Sequence, residues 1–373
     1  MFSATKSETI RKYKAMIKRE TFDLAHIKEL VSNKVCDPSL LERSIYAFGL
    51  LESLVRVNMP FIFKGGTSLM LLLEHPRRLS TDVDIIVEPG TDIDHYIERA
   101  SEIFPFKRQD EQIRVGKNNV VKRHFKFYYD SPVGNRELYI LLDVLFEEDH
   151  YSSVVEKEIK NDLLVTEEPY LKVTVPSVNC ILGDKLTAFA PHTTGIPYGV
   201  SKELEIIKQL FDVISLANVC DNFQDVYDSY MRTVEAEIAY RGNGCSVEDC
   251  LNDTIETAAC IVSRGLINRE DYQLLSGGIK GIRTHIYGGR FSGESAAIGT
   301  CTVMYIAACI LKNKSFQRIE DPEKYINVPM PDSKYKKLSY IRNQNIEAYG
   351  YLVEAVRVLM DEKSHQEVEM ICL

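Results

Sequence analysis

A pair of glycines between a short apolar run and a helical segment constrains the fold of this chain more than any other feature. Residues 61–63 (Phe-Ile-Phe) are typical of a short buried strand, and 67–73 has helical periodicity, so Gly65-Gly66 forms the turn between them. A helix N-terminus presents backbone N–H groups and the positive end of the helix dipole to anions. The sequence therefore predicts a turn that can lie against a phosphate group, although an isolated Gly-Gly-Thr is usually only a turn and helix cap.

Two aspartates follow this helix, at the start of the next strand candidate. Asp82 and Asp84 are two residues apart, and residues at that spacing point to the same side of an extended strand. Their carboxylates can converge on one or two hard cations, for which Mg²⁺ is the natural candidate and Mn²⁺ an alternative. An isolated Asp-x-Asp most often marks a solvated strand end, so this pattern needs support from elsewhere in the chain.

A third aspartate lies within the most apolar run of the first half, residues 138–146. Asp143 is the only charged residue between Ile140 and Phe146, and a charge in such a strand needs a partner. If this strand lies beside that of Asp84, three carboxylates face one cation pair, the arrangement used for in-line displacement at phosphorus. The alternative is a core carboxylate satisfied by its surroundings.

The chain divides into two regions of different character. Its 373 residues exceed the length at which single cores usually stop growing. Strand candidates occur in the first region, at 61–63, 84–87, 112–115, 121–129, 138–146 and 171–175. Helical patterns dominate the second, at 223–240, 247–262, 295–311 and 335–360. We therefore expect an α+β protein with a mixed α/β domain over 1–175 and a helical domain over 176–373.

Composition narrows the classes of protein further. The nine cysteines are scattered without a Cys-x-x-Cys pair, which favours a reduced, cytoplasmic chain. No leader-like N-terminus and no run of about 18 apolar residues is evident, so secretion and membrane spanning are disfavoured. The net charge of −9 argues against non-specific coating of nucleic acid, although it allows a local basic patch.

These motifs together resemble a known family. The glycine pair, Asp82, Asp84 and Asp143 are similar in order to the DNA polymerase beta-like nucleotidyltransferases. More narrowly, Phe63-Lys64-Gly65-Gly66-Thr67-Ser68-Leu69 with Arg78-x-Ser80-x-Asp82-x-Asp84 resembles the AbiEii/AbiGii toxin family. That family's later Lys-Leu-x-Ala helix appears here as residues 185–188, and its Arg-Asp-x-x-Asp helix corresponds to residues 208–212. Lys208 and Gln209 depart from the family's usual Arg and Asp, which weakens any role assigned to them.

The resemblance implies a polymerase beta-like core, a mixed sheet flanked by helices, that transfers a nucleotide from an NTP and releases pyrophosphate. By the match, Asp82 and Asp84 bind both Mg²⁺ ions, and Asp143 binds the one that lowers the pKa of the attacking hydroxyl. The expected contacts to the phosphates come from the backbone and hydroxyl groups of the glycine turn and the residues around it: Gly65, Gly66, Thr67, Ser68 and Ser80.

The resemblance also implies a contribution from the helical domain to the cleft. Lys185 is the expected cationic clamp on the triphosphate and a catalytic residue, with Arg78 and Lys208 as further nucleotide contacts. Asp212 can orient Lys185 or bind a nucleotide hydroxyl. Alternatively, Lys185 and Asp212 form an interhelical ion pair that only fixes the second domain.

The expected acceptor is the 3′ end of tRNA, because relatives in this toxin family act there, and the expected protein partner is a cognate antitoxin. Transfer to a small-molecule or protein hydroxyl is an alternative, as is a catalytically silent nucleotide-binding module. Two basic, turn-rich stretches, 277–290 and 334–342, can form a track for a nucleic-acid backbone, with Tyr287, Tyr335 or Tyr340 for stacking. Both can equally be solvated surface. His124 lacks motif context and is interpreted as structural.

Overall fold

The computed structural model describes residues 15–34, 36–112, 122–242 and 244–361, which form two compact units. The first unit comprises Met1–Asp149 and Glu156–Val175, and the second comprises His150–Val155 and Pro176–Leu373. A separate two-stranded sheet consists of β6 (Val154–Glu158) and β7 (Lys172–Pro176).

The first unit is built around a five-stranded mixed sheet. Its strands are β1 (Ile62–Lys64), β2 (Val83–Val87), β3 (Arg108–Glu111), β4 (Lys122–Ser131) and β5 (Arg136–Phe146), in the spatial order β1-β2-β5-β4-β3. Its helices are α1 (Leu24–Asn33), α2 (Pro38–Arg56), α3 (Gly65–Leu72) and α4 (Asp94–Ser101). Only the β2–β5 pair is parallel; the other three are antiparallel.

One face of this sheet forms the core, and the other carries the polar residues. Alternation along β4 and β5 buries Phe125, Phe127, Ile140, Leu142 and Val144 on the same face. Helix α2 packs against this sheet and starts at the Asp37 carboxylate, which accepts hydrogen bonds from the N–H groups of the helix's first turn. The residues between these buried ones, Asp143 among them, therefore point to the opposite face.

The second unit is helical. Its α-helices are α5 (Val178–Ala188), α6 (Glu203–Ala217), α7 (Phe223–Arg241), α8 (Val247–Val262), α9 (Arg269–Gly281), α10 (Gly293–Leu311) and α11 (Ile346–Met360). With the mixed sheet of the first unit and its flanking helices, this composition confirms the predicted α+β class.

Helix α10 lies in the core of the second unit and packs against α6, α8 and α11. By length and composition it is apolar enough to cross a membrane, and 67% of its most apolar part is buried inside the protein. Core helices of water-soluble proteins pass the same test.

Three sequence predictions about local structure need adjustment. The strand predicted at 112–115 is found earlier, as β3, and residues 113–115 of the prediction lie outside the described residues. The basic stretch at 277–290 is not turn-rich throughout, because Gly277 and Gly278 lie inside α9. A Cβ atom at Gly278 would lie 2.3 Å from the Glu203 carbonyl oxygen, so glycine here permits close packing of α9 on α6. The long helix predicted at 335–360 is broken into a 3₁₀-helix, Lys336–Asn343, and α11.

Candidate functional site

Four residues form one row across the polar face of the first unit's sheet. In the strand registers, Lys64 on β1 pairs with Asp84 on β2, Asp84 pairs with Asp143 on β5, and Asp143 pairs with His124 on β4. Neighbouring strands lie about 4.8 Å apart, so the two carboxylates occupy adjacent positions on the same face. The strand of Asp143 therefore lies beside that of Asp84, as the three-carboxylate hypothesis requires. Asp143 is 31% exposed and can be reached from solvent.

Asp82 immediately precedes β2, and its side chain is 48% exposed. Its Oδ1 atom lies 3.8 Å from Nη2 of Arg43, which projects from α2. Nothing in the local sequence singles out Arg43, because its proximity to Asp82 depends on the packing of α2 against the sheet.

His124 contacts the third aspartate. Its Nδ1 atom lies 2.6 Å from Asp143 Oδ1, and the imidazole is only 12% exposed. The sequence interpretation of His124 as merely structural missed this contact. The sequence does show that His124 alternates with Phe125 and so lies on the other face of the strand. Its partner Asp143, however, is fixed only by the register of β4 with β5.

The three aspartates have the chemistry of a divalent-cation site but not yet its geometry. Among the described residues, no group of three or more His, Cys, Asp or Glu side chains is arranged as a ready metal site. Asp143 is bonded to His124, Asp82 lies near Arg43, and the Asp84 carboxylate lies against Gly65. The chemistry nonetheless fits Mg²⁺ or Mn²⁺, since the candidates are carboxylate oxygens on adjacent strands, two of them partly exposed. Because the three carboxylates do not form a ready group, at least one of them must rotate for all three to bind one cation pair.

Gly65 is required at the strand-to-helix turn for two reasons. Its φ is +80°, a conformation that residues with a Cβ atom rarely adopt. A Cβ atom there would also lie 2.0 Å from Asp84 Oδ2. The turn and the Asp84 carboxylate are therefore in direct contact, and a larger residue would displace the carboxylate.

Gly66 is covered by two of the predicted nucleotide contacts. A Cβ atom at Gly66 would lie 2.7 Å from both Arg78 Nη2 and Ser80 Oγ. Arg78 is only 7% exposed, and its Nη1 donates to the Leu79 carbonyl oxygen at 3.3 Å. The start of α3 thus brings together the glycine pair, a guanidinium group and a hydroxyl.

The hydroxyl groups of Thr67 and Ser68 have a different use from the predicted one. Thr67 Oγ1 donates to the Asp82 carbonyl oxygen at 2.5 Å, and Ser68 Oγ donates to the Gly65 carbonyl oxygen at 2.9 Å. Both side chains are fully buried. Each hydroxyl has one hydrogen to donate, so these two groups hold the turn together, and in this conformation neither offers a donor to a phosphate.

The remaining predicted residues lie in the second unit, on α5 and α6. Lys185 Nζ lies 3.1 Å from Asp212 Oδ2 and donates to Gln209 Oε1 at 2.9 Å. The exposed fractions of the Lys185 and Asp212 side chains are 11% and 2%. Lys208 instead pairs with Glu205, three residues earlier on its own helix, at 3.0 Å. The interhelical ion pair considered as an alternative is therefore formed.

The two basic stretches differ in how their charges are used. In the second stretch, Lys334 pairs with Glu256 at 2.5 Å and Lys336 with Asp332 at 3.0 Å. In the first stretch, the exposed cations form no ion pair with any residue that the structure describes: Lys280, Arg283 and Arg290.

The tyrosines expected to stack on bases are engaged within the protein. Tyr287 and Tyr335 are buried, and the hydroxyl of Tyr340 donates to the Val262 carbonyl oxygen. The prediction that Tyr287 or Tyr335 offers a stacking surface is therefore wrong for this conformation.

Comparisons with known proteins address the identity of the chain. No curated protein sequence matches it. Among solved structures, the Helicobacter pylori protein JHP933 is 13% identical, with 73% of this chain and 93% of that chain covered and a TM-score of 0.42. An antigenic nucleotidyltransferase-like protein from Paracoccidioides brasiliensis is 16% identical, covering 56% of this chain and 95% of its own, with a TM-score of 0.34.

Because both TM-scores are below 0.5, the assignment rests on the family model. The model described as nucleotidyl transferase AbiEii toxin, type IV toxin–antitoxin system, matches residues 50–278, more than half of the chain. The matched segment includes the glycine turn, Asp82, Asp84 and Asp143, and it extends through Lys185 and Asp212. The protein belongs to the AbiEii family of nucleotidyltransferase toxins.

Proposed function

We propose that this protein transfers a nucleoside monophosphate from an NTP to an acceptor hydroxyl in a Mg²⁺-dependent reaction, and that the acceptor is the 3′ end of tRNA. The proposal rests on family membership together with one structural observation. Asp84 and Asp143 are register partners on adjacent strands, and the Asp84 carboxylate lies against the glycine turn at the start of α3. A candidate phosphate turn and a carboxylate pair are thus parts of one surface.

In this reaction the acceptor hydroxyl oxygen attacks the α-phosphorus of the NTP. A new P–O bond forms, the bond from the α-phosphorus to the α,β-bridging oxygen breaks, and pyrophosphate leaves with that electron pair. The hydroxyl proton passes to solvent. Negative charge builds up on the phosphate oxygens, and groups fixed beside them lower the barrier.

Several groups of the first unit are suited to these tasks. Asp82, Asp84 and Asp143 would hold Mg²⁺, or Mn²⁺, which when bound supplies positive charge beside the phosphate oxygens. The backbone N–H groups at the start of α3 would bind phosphate through the glycine turn. Arg78 and Ser80, which cover Gly66, would add a cation and a hydroxyl.

The second unit supplies further residues to the proposal. Lys185 would contact the triphosphate, with Asp212 and Gln209 holding its ammonium group in one orientation. Lys208 and Asp212 remain candidate nucleotide contacts. The Lys185–Asp212 pair also suits a purely structural role, and the double variant Lys185→Met/Asp212→Leu separates the two roles.

The family also implies partners and a setting. A toxin of a toxin–antitoxin system has a cognate antitoxin, which we propose is a separate protein that holds the activity of this chain in check in the cytoplasm. No membrane is part of the proposed activity.

The test is transfer of label from each of four α-³²P-labelled NTPs to total tRNA by the purified protein, with and without Mg²⁺. We expect label at the tRNA 3′ end, and none with Asp82→Ala or after removal of divalent cation by a chelator. Absence of labelled RNA with all four NTPs would rule out the tRNA acceptor. Label that migrates with protein or with a small molecule would instead support the alternative acceptors.

A further inference from the structure

His124 lies at one end of the row Lys64–Asp84–Asp143–His124, and its position in the sheet is firmly held. It is part of the continuous antiparallel ladder between β4 and β5, in which every residue of β4 has a partner on β5. Its carbonyl oxygen also accepts a hydrogen bond from the Gln112 N–H at 2.7 Å. The backbone of His124 is therefore held in place on both sides, and its imidazole lies beside the candidate ligand Asp143.

The contact to Asp143 is specific in its atoms. A carboxylate oxygen only accepts hydrogen bonds, so Nδ1 of His124 carries the hydrogen that it donates to Asp143 Oδ1. This bond uses one oxygen of the carboxylate and leaves the other, Oδ2, available to a cation. Residues that hydrogen-bond to a ligating group in this way fix its orientation.

The apolar surroundings do not explain the contact. The core face of β4 is formed by Phe125, Phe127 and Tyr129, whereas His124 lies on the polar face. If this position only needed to be filled, an apolar side chain would serve better than histidine, because it has no ring nitrogens that need hydrogen-bond partners.

From these observations we propose that His124 is a positioning residue: its Nδ1–H holds the Asp143 carboxylate in the orientation that binds a divalent cation beside Asp84. The proposal rests on the metal-binding role given above to Asp143. His124 itself touches neither nucleotide nor cation in this scheme, and it acts only through Asp143.

The test measures Mn²⁺ binding to the full chain by the loss of the free-ion electron paramagnetic resonance signal, without turnover. His124→Leu removes the donor, and we expect Mn²⁺ affinity to fall about 10- to 100-fold, the usual effect of losing a partner of a metal ligand. His124→Asn places an amide nitrogen where Nδ1 was, and it should restore affinity to within about threefold of the unchanged protein. Asp143→Asn gives the reference for loss of the ligand itself.

Lys126→Leu is the matched control. Lys126 lies two residues further along the same face of β4, and its Nζ sits 4.7 Å from the centre of the Tyr139 ring. This variant should bind Mn²⁺ like the unchanged protein. Thermal unfolding of all variants shows whether a loss of affinity is only a loss of fold.

Two results would overturn the inference: unchanged Mn²⁺ affinity in His124→Leu, or an equal loss in His124→Leu and His124→Asn when both are folded. The measurement also separates this inference from the proposed function. If nucleotide transfer is absent but Mn²⁺ binding still depends on His124 and Asp143, the proposed function fails and the positioning role stands.

Discussion

Both units place acidic side chains beside basic ones, but the acidic side chains are partly exposed to solvent in the first unit and buried in the second. In the first unit, Asp82 and Asp143 are 48% and 31% exposed, and their partners Arg43 and His124 lie on other elements around an open face. In the second unit, Lys185 and Asp212 are 11% and 2% exposed and lie between two packed helices. Opposite charges in the first unit remain accessible to a ligand, whereas those in the second are largely committed to each other.

The difference follows from the cost of removing charge from water. A buried ion pair stabilises a protein little compared with apolar residues of the same size, but the loss of one partner leaves an uncompensated charge. The loss of a partner costs an exposed charge much less free energy, because solvent screens it. The same kinds of residue are thus expected to control activity in the first unit and stability in the second.

The largest expected effect is on activity, from Asp143→Asn. This change keeps the shape of the side chain but removes its charge, so transition-state stabilisation by a bound cation should fall by several kcal/mol, a loss of transfer of about a thousandfold or more. The free energy of unfolding should change by less than about 1 kcal/mol, because the group is partly exposed. Label transfer to RNA and urea denaturation measure the two quantities. Full activity in this variant would remove Asp143 from the site.

The second largest effect is on stability, from Lys185→Met. It leaves the Asp212 carboxylate buried without its cation, and the free energy of unfolding should fall by about 3–5 kcal/mol in urea denaturation. Lys208→Met is the control: its partner Glu205 lies on the same helix and is partly exposed, so a change within about 0.5 kcal/mol is expected.

The double variant Lys185→Met/Asp212→Leu decides between the two roles of this pair. Removal of both charges should restore most of the lost stability. If label transfer returns with stability, the pair only braces α5 against α6. If stability returns and transfer does not, Lys185 or Asp212 acts on the nucleotide.

A smaller effect separates backbone strain from contact with Asp84. Gly65→Ala and Gly90→Ala both place a Cβ atom on a residue with φ near +80°, which costs about 1–2 kcal/mol. Only the Gly65 position has an atom of Asp84 in the way, since nothing lies within 4 Å of a Cβ atom at Gly90. In urea denaturation Gly65→Ala should lose at least as much stability as Gly90→Ala, and it alone should lose label transfer. Equal activity in the two variants would show that the Asp84 contact does not matter.

The smallest effect extends the comparison to the two basic stretches. Lys280→Ala/Arg283→Ala removes exposed cations with no ion-pair partner among the described residues, and tRNA affinity should fall with a salt dependence reduced by about one unit per lost phosphate contact. Lys334→Ala/Lys336→Ala removes cations already paired with Glu256 and Asp332, so affinity should hardly change. Filter binding at several salt concentrations measures both. The reverse order would place the RNA surface at the second stretch.

Local pattern was enough to predict the parts of the site that depend on neighbours in the chain. The glycine turn at Gly65-Gly66 and the strand that carries Asp143 both follow from short-range periodicity. The α+β class follows because strand patterns stop near residue 175 and helical patterns continue.

The missing parts depend on contacts between distant segments. His124 meets Asp143 only through the register of β4 on β5, and Arg43 approaches Asp82 only through the packing of α2. The sequence could not predict that the hydroxyls of Thr67 and Ser68 donate to backbone carbonyl oxygens. Whether a hydroxyl bonds to the backbone or to a ligand depends on the geometry of the turn. Likewise, residues 335–360 have continuous helical periodicity, but the folded chain interrupts the helix between the 3₁₀-helix Lys336–Asn343 and α11.

The order of strands in the sheet has a consequence for synthesis, because the two strands that carry Asp84 and Asp143 are neighbours in the sheet but far apart in the chain. β2 carries Asp84, but its neighbour on the Asp143 side is β5, which is made only after β3 and β4. A nascent chain can present the glycine turn and Asp84 long before the ribosome has produced the strand that completes the pair. A partly translated or prematurely released chain that stops before β5 is therefore expected to lack the proposed activity, so a cell would be exposed to this chemistry only by chains that have been translated past Asp143.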